Sequence, residues 1–544
     1  MRGSAVAVGV PRANRGFLFR TLAFVFLATF LWLQLHVINL TTRDWSNQHP
    51  VNESLYALVP QELHRFLKDR RNNGTLGRSN NLTSGNQELN EYEIVEIHRQ
   101  IDKVNAEQRV LNEDAFGPLA PEAPVILVQV HDRLNYLRHL IISLAQAKGI
   151  EEVLLVFSHD VWNPDINYLV QNVDFCRVMQ IFYPHSIQTH PHSFPGESPN
   201  DCPRNIGKEQ ALLQGCTNAE HPDSYKHYRE AKFTQTKHHW WWKANRIFDQ
   251  LNVTRNHTGM VLFLEEDHYV AEDFLHVLRL MERTCQRSEQ RCDVLSLGTY
   301  LKTYNYYADN RKYLGSLQKD LLRGLKRQEL ASGTAGSPIR RSATTANAGG
   351  GSGQELGSTH PGQKVVAAPS WAYQLLPSLY QHYQKAEITP WVSSKHNMGM
   401  AFNRATWKHV RRRAKQFCTY DDYNWDWSLQ HIAQTCFSPD SKSSLVPCSG
   451  LITIMMRAPR VFHIGECGVH HKKANCESTS AIAKLQNVLR QARQHLYPSD
   501  LTLIHAAISK KTKLRRGNGG WGDVRDHELC LNMTLEASPA LIEL

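Results

Sequence analysis

The sequence predicts an α/β fold, a mostly parallel sheet covered on both faces by helices, preceded by a transmembrane helix and a disordered stem. Three observations carry this. Apolar, β-branched runs recur at 125–130, 153–157, 178–183, 261–264 and 294–297. They do not alternate polar with apolar, so both faces of each strand are buried. Helical patterns fill the first intervals, among them RLNYLRHLIISLAQAKG, expected to close as a helix at Gly149. In such sheets ligands bind outside the C-terminal strand ends.

Length and charge bound the rest. With 544 residues and 41% hydrophobic content the chain can bury a substantial core. The 62 Lys+Arg against 51 Asp+Glu give +11, but no long basic run concentrates that charge. Nucleic acid is therefore not an expected partner.

Residues 1–16 are expected as a cytoplasmic tail and 17–40 as a membrane anchor. Thr21 to Leu33 is uncharged, Arg2, Arg12, Arg15 and Arg20 flank or precede it, and no acidic residue occurs before Asp44. Positive charge on that side holds the N-terminus in the cytoplasm and sends the rest across. The alternative is a cleaved signal peptide, against which stand the near-spanning length and the lack of a small-residue cleavage site. Both place the body in the secretory lumen. Sequons at Asn52, Asn73, Asn81, Asn252, Asn256 and Asn532 agree, as do eleven cysteines suited to an oxidising compartment.

Residues 41–88 are polar and Asn-rich, hence a stem. Leu89, Ile94, Ile97, Ile101 and Val104 then recur at helical spacing, a helix packing at the domain entrance or on a second copy of the chain. Two halves come next, 89–315 and 371–531, with a Gly/Ser/Thr/Ala-rich surface insertion at 316–370, a smaller irregular insert near 440–457 and a tail at 532–544.

Four segments carry chemistry. VLFLEEDHY sets Glu265, Glu266 and Asp267 directly after an apolar run, at a strand's C-terminal end, where oxygen ligands suit Mn²⁺ or Mg²⁺ together with phosphates. The bland alternative is a solvated acidic turn. REAKFTQTKHHWWWKANRIF interleaves Lys232, Lys237, His238, His239 and Lys243 with Trp240, Trp241 and Trp242. The tryptophans read best as buried, and the basic residues as either a solvated face or ligands for anionic oxygens. FCTYDDYNWDWSLQ alternates Asp421, Asp422 and Asp426 with Tyr420, Tyr423, Trp425 and Trp427, a sugar-binding combination in which one carboxylate serves as general base. RVFHIGECGVHHKKANC admits a zinc site. A Cys467–Cys476 disulfide in an oxidising lumen instead leaves His463 to face a metal.

These segments resemble the N-acetylglucosaminyltransferase II family. The matching motifs, in order, are QVHDR, FSHD, REAKF, QTKHHWWWK, FLEEDHY, CDVLSLGTY, KHNMG, CTYDDYNWDW, GVHHKK and NGGWGDVRDHELC, covering residues 120–531 apart from the insertions. The resemblance implies a GT-A-type, Rossmann-like nucleotide-sugar domain in a Golgi type II membrane enzyme. It would transfer N-acetylglucosamine from UDP-N-acetylglucosamine, with Mn²⁺, to the 2-hydroxyl of the α-1,6-arm mannose of N-glycans on glycoproteins, inverting the anomeric centre. It implies Asp267 and His463 as metal ligands and Asp426 as general base. Donor contacts would come from Gln129, Val130, His131, Asp132, Arg133, Asp160, Gln235, Thr236, Lys237, His238 and His239. Acceptor contacts would come from Glu265, Asn397, Tyr423 and Trp425. It also implies disulfides Cys202–Cys216, Cys285–Cys292, Cys418–Cys530 and Cys467–Cys476, with Cys176 unpaired. The chain departs from the family at Asp132, where Asn is expected, after Tyr300, and in lacking the cysteine that would partner Cys436, which then pairs with Cys448. The competing readings are an inverting N-acetylglucosaminyltransferase for another arm and a non-catalytic luminal lectin or scaffold.

Overall fold

The computed structural model describes Tyr56 and residues 59–68, 89–288, 291–301, 372–434, 450–465, 479–505 and 517–537. The anchor, the 316–370 insertion, Cys436, Cys448, Cys467, Cys476 and the histidines of GVHHKK lie outside them, as do the sequons at Asn52, Asn73 and Asn81. The chain divides after Gln61. Of the first part, Tyr56 and residues 59–61 are described. The sheets and the candidate site belong to the second part, which begins at Glu62.

Thirteen strands are formed among the described residues: β1 Val110–Leu111, β2 Val125–Val130, β3 Leu154–His159, β4 Arg177–Phe182, β5 Val261–Glu265, β6 His268–Val270, β7 Val294–Ser296, β8 Gly298–Tyr300, β9 Lys385–Pro390, β10 Met400–Phe402, β11 Ile452–Met456, β12 Val461–His463 and β13 Thr502–His505. Ten make one sheet in the order β1-β4-β3-β2-β5-β10-β7-β11-β9-β13. The expected runs are β2, β3, β4, β5 and β7, and β4-β3-β2-β5 pair in parallel. Their side chains are almost entirely buried, as unbroken apolar runs require.

β10, from the second half, lies antiparallel between β5 and β7 of the first, so one sheet runs through both. The second half opens on the helix Ala372–Gln381 and β9. The insert expected near 440–457 contains β11, whose Thr453–Met455 pair with Val294–Ser296 of β7. Its short ITIMM run was masked by the polar residues before it.

Three other boundaries differ from expectation. Within the supposed stem, Gln61–Leu67 forms a 3-10 helix whose Phe66 is buried, its ring edge-on to Phe175 at 6.2 Å. The supposed tail is part of the helix Val524–Ala537, with Met533 and Thr534 buried. The helix after β2 ends at Ala145, and Gly149, at φ +84°, opens the short 3-10 turn Ile150–Glu152 instead. The helix Glu91–Glu107 forms as expected, opened by an Asn90–Glu93 capping box. It packs beside β4, where Asn105 Nδ2 donates to the Phe182 carbonyl and Phe182 N–H donates to Asn105 Oδ1.

The three tryptophans of HHWWWK are all buried. They lie on the helix Ala231–Asn245, where Trp240 stacks on Trp425 at 4.5 Å with planes 1° apart, and Trp241 stacks on Phe417 at 4.2 Å. Trp241 Nε1 donates to Thr534 Oγ1, tying this helix to the C-terminal one. The Cys418–Cys530, Cys202–Cys216 and Cys285–Cys292 disulfides are formed, and Cys176 is buried without one.

Candidate active site

Strand register assembles the site. Gln129 sits beside Ser158 on one side and Glu265 on the other. The residues just past these ends, His131, Asp160 and Glu266, therefore meet at one rim. A second device is the small sheet β6-β12-β8, in which His463 pairs with His268 on one side and Tyr300 on the other.

At the rim, Asp160 is buried with His131 Nδ1 at 2.7 Å, His239 Nδ1 at 3.5 Å and Gln235 Nε2 donating at 3.0 Å. Burial pushes the Asp160 carboxyl up, but the charge of His131 and the bonds from His131 and His239 hold it well below the usual carboxylate range. Reciprocally, Asp160 raises His131 to about 10 against the pull of burial. Ser158 Oγ lies 2.8 Å from His239 Nε2, and Lys243 Nζ donates to Gln129 Oε1 at 2.6 Å. Burial lowers Lys243 to about 7, opposed by Glu265 and Asp160. Val130 faces the core, Asp132 is exposed beside His131, and Thr236 is half-buried.

Lys237 and His238 are not brought to this rim. Lys237 Nζ donates to the carbonyls of Tyr420 and Asp422 at 3.1 and 3.0 Å and lies 4.0 Å from the Trp521 ring centroid. His238 Nε2 is 2.9 Å from Asp526 Oδ1, which also accepts from Arg229. A buried ammonium needs partners, and the carbonyls supply them inside the fold. For these two residues the expectation of donor contact is corrected.

The acidic cluster divides its work. Glu266 accepts from His131 N–H at 2.7 Å and from Arg133 Nε. Arg133 Nη1 donates to Asp267 Oδ2 at 2.7 Å, and His463 Nε2 lies 3.3 Å from the same oxygen. Burial opposes ionisation of Asp267, yet His463 and Arg133 hold it well below the usual range. Asp267 Oδ1 is buried with no partner. Gly465 lets its backbone pass close to this carboxylate, since a Cβ there would stand 2.4 Å from Asp267 Oδ2. Glu265, Asp267 and His268 place potential ligand atoms within 4.8 Å of one another. His268 Nδ1, however, accepts the Glu265 N–H, which puts the ring proton on Nε2. His463, whose Nε2 lies against Asp267 Oδ2, is the second imidazole at this carboxylate. This carboxylate and imidazole set fits a divalent cation of the Mn²⁺ type.

Facing this ledge is Asp426, in the first turn of the helix Trp425–Ala433. Its Oδ2 accepts from Ser393 Oγ at 2.7 Å and Asn397 Nδ2 at 2.9 Å, and its Oδ1 from Trp427 N–H at 2.9 Å. Burial raises the carboxyl above its usual value. Asn397 Nδ2 also donates to Tyr300 Oη at 2.9 Å, and the Tyr300 ring lies 5.3 Å from that of His463. A continuous chain, Asp426–Asn397–Tyr300–His463–Asp267, therefore joins the carboxylate to the acidic ledge.

The neighbouring carboxylates have other work. Asp422 is fully buried and accepts from Asn424 and Asn518, backbone and side chain of each. Asp421 accepts from Ser224 and Trp521 N–H. Both staple the 517–523 loop. Trp425 is corrected as an acceptor contact, because it is buried and one face is covered by Trp240. Tyr423 remains half-buried against Phe233. The sequence reading missed Glu266 as the holder of Arg133, and also Ser393, Tyr300 and the pairing of Lys243 with Gln129. Tyr300 stood in plain view within CDVLSLGTY, but its partner Asn397 is 97 residues away.

Comparison with known proteins shows the family. The profile of N-acetylglucosaminyltransferase II matches residues 98–319 and 367–530. An alpha-1,6-mannosyl-glycoprotein 2-beta-N-acetylglucosaminyltransferase of Rattus norvegicus is 40% identical over 432 residues, 79% of this chain and 78% of its own length. The Homo sapiens enzyme of that name is 39% identical over 428 residues, 79% and 77% of the two chains. The Arabidopsis thaliana enzyme is 27% identical over 433 residues, 77% of each. The residues joined by strand register here fall within the matched segments, and the chain belongs to the N-acetylglucosaminyltransferase II family.

Proposed function

We propose that this protein transfers N-acetylglucosamine from UDP-N-acetylglucosamine, in β-1,2 linkage, to the α-1,6-arm mannose of N-glycans on glycoproteins. The observation that carries the chemistry is the chain of contacts that runs from Asp426 through Asn397 and the Tyr300 ring to His463 and Asp267. Asp426 accepts the proton of the mannose 2-hydroxyl as that oxygen bonds to the anomeric carbon. The bond from that carbon to the diphosphate oxygen breaks, and its electron pair leaves with UDP. A single displacement of this kind inverts an α-linked donor to a β product and needs no enzyme nucleophile. The burial that raises Asp426 makes it a more avid base than an exposed aspartate.

Asp267 and His463 would hold Mn²⁺, which when bound supplies Lewis-acid neutralisation of the diphosphate. Arg133 adds fixed positive charge at the same edge, Glu265 lines it, and His131, Asp160, Gln235 and His239 form the rim for the nucleotide. Asn397 Oδ1 is buried without a protein partner, which suits an acceptor hydroxyl. Parallel strands with a carboxylate cluster at their C-terminal ends support a GT-A-type domain. The uncharged segment after Arg20 and the sequons support a Golgi type II membrane protein with this domain in the lumen. No helix among the described residues is long and apolar enough to cross a membrane. A second copy of the chain is a further candidate partner.

The test is transfer from UDP-N-acetylglucosamine to biantennary acceptors with one mannose exposed at a time, with and without EDTA. Metal-dependent transfer to the α-1,6-arm mannose alone is expected. Transfer to the other arm, or turnover unchanged in EDTA, overturns the corresponding part of the proposal.

A further inference from the structure

Asp426 Oδ2 is saturated. A carboxylate oxygen offers two lone pairs, and both are taken, by Ser393 Oγ and Asn397 Nδ2. Oδ1 holds only the Trp427 N–H and keeps one lone pair. Ser393 is itself fixed: it is buried, and its N–H donates to Gln430 Oε1 at 2.8 Å, on the same helix as Asp426. Asn397 is tethered by Tyr300. Val392 N–H donates to His396 Nδ1, which steadies the turn carrying both donors.

We infer that Ser393 is a positioning residue for the transfer reaction, clamping Asp426 Oδ2 so that Oδ1 is the oxygen that takes the acceptor proton. The inference rests on the reading of Asp426 as the base. Tyr300 acts at one remove, keeping the Asn397 amide turned toward Oδ2. Without Ser393 the carboxylate keeps the Asn397 and Trp427 bonds but has an open lone pair on Oδ2 as well as on Oδ1, and its charged form loses a charge-assisted hydrogen bond. Its pKa then rises, because that bond favours the ionised state.

Ser393→Ala is expected to lower kcat by about tenfold and to move the acid limb of the kcat profile up by about one pH unit, the effect of losing one hydrogen bond to a charged group. KM for UDP-N-acetylglucosamine is expected to stay within twofold, because Ser393 touches none of the nucleotide rim. Ser393→Thr restores the hydroxyl and is expected to restore the acid limb. Tyr300→Phe is expected to lower kcat severalfold. A merely structural serine would reduce thermal stability without moving the acid limb. If folded Ser393→Ala keeps both wild-type kcat and wild-type acid limb while Asp426→Asn is inactive, the clamp is wrong and the base stands. If Asp426→Asn is active, the base assignment fails first and takes the clamp with it.

Discussion

Replacing Asp160 with Asn tests whether the nucleotide rim is organised by one buried charge. Asp160 is the shared partner of His131, His239 and Gln235, and without its charge the main reason for His131 to be protonated is lost, leaving the weaker pull of Asp132 and Glu266. Raising an imidazole from 6.5 to about 10 corresponds to about 5 kcal/mol if the ring were fully buried. The His131 side chain is 46% exposed, and solvent screening cuts this to about 2 kcal/mol. The sign follows from the raised value. The ion pair contributes fully below pH 6.5 and fades as pH climbs through about 10. The depressed Asp160 adds stability above the ordinary carboxylate range that is lost only on strong acidification. At pH 6 Asp160→Asn is therefore expected to lose about 2 kcal/mol in urea denaturation, and less at pH 7.5. Its UDP affinity, measured calorimetrically, is expected to fall as pH rises from 6 to 8, while the wild type stays level. A variant of wild-type stability whose UDP affinity stays level over that range would refute the argument.

Two further outcomes test the scaffold and the ledge. Cys418 and Cys530 are 112 residues apart and enclose Asp426 and His463, so opening that bridge is expected to cost up to about 5 kcal/mol, read as a lower denaturation midpoint in Cys530→Ala. Asp267→Ala is expected to weaken UDP binding in Mn²⁺ at least tenfold while leaving metal-free UDP binding unchanged, checked by titration with and without EDTA.

What the sequence made legible was whatever local pattern encodes. Unbroken apolar runs marked the five strands β2, β3, β4, β5 and β7, because a buried parallel strand is written in consecutive residues. Carboxylates at the end of β5 marked the ledge for the same reason. The strands β6, β8, β10 and β12 are three residues each and carry no periodicity of their own. Yet β6, β12 and β8 set His268, His463 and Tyr300 side by side. Family resemblance brought Asp426, Asp267 and His463 forward, and the fold placed them in one chain of contacts. Charge pattern misled at Lys237 and His238: basic residues on a helix look alike whether they face a phosphate or, as here, backbone carbonyls and Asp526. Trp425 misled in the same way, since an aromatic beside a carboxylate fits a sugar platform and a core stack equally well, and Trp240 decided it.

The most direct test of the account is single-turnover transfer by Asp426→Asn, with UDP affinity in Mn²⁺ measured on the same sample. Loss of a general base predicts transfer slowed by about a thousandfold with nucleotide affinity within twofold of wild type. Transfer within tenfold of wild type would show that the acceptor proton leaves by another route, and the geometry linking Asp426 to Asp267 would then have no part in the chemistry.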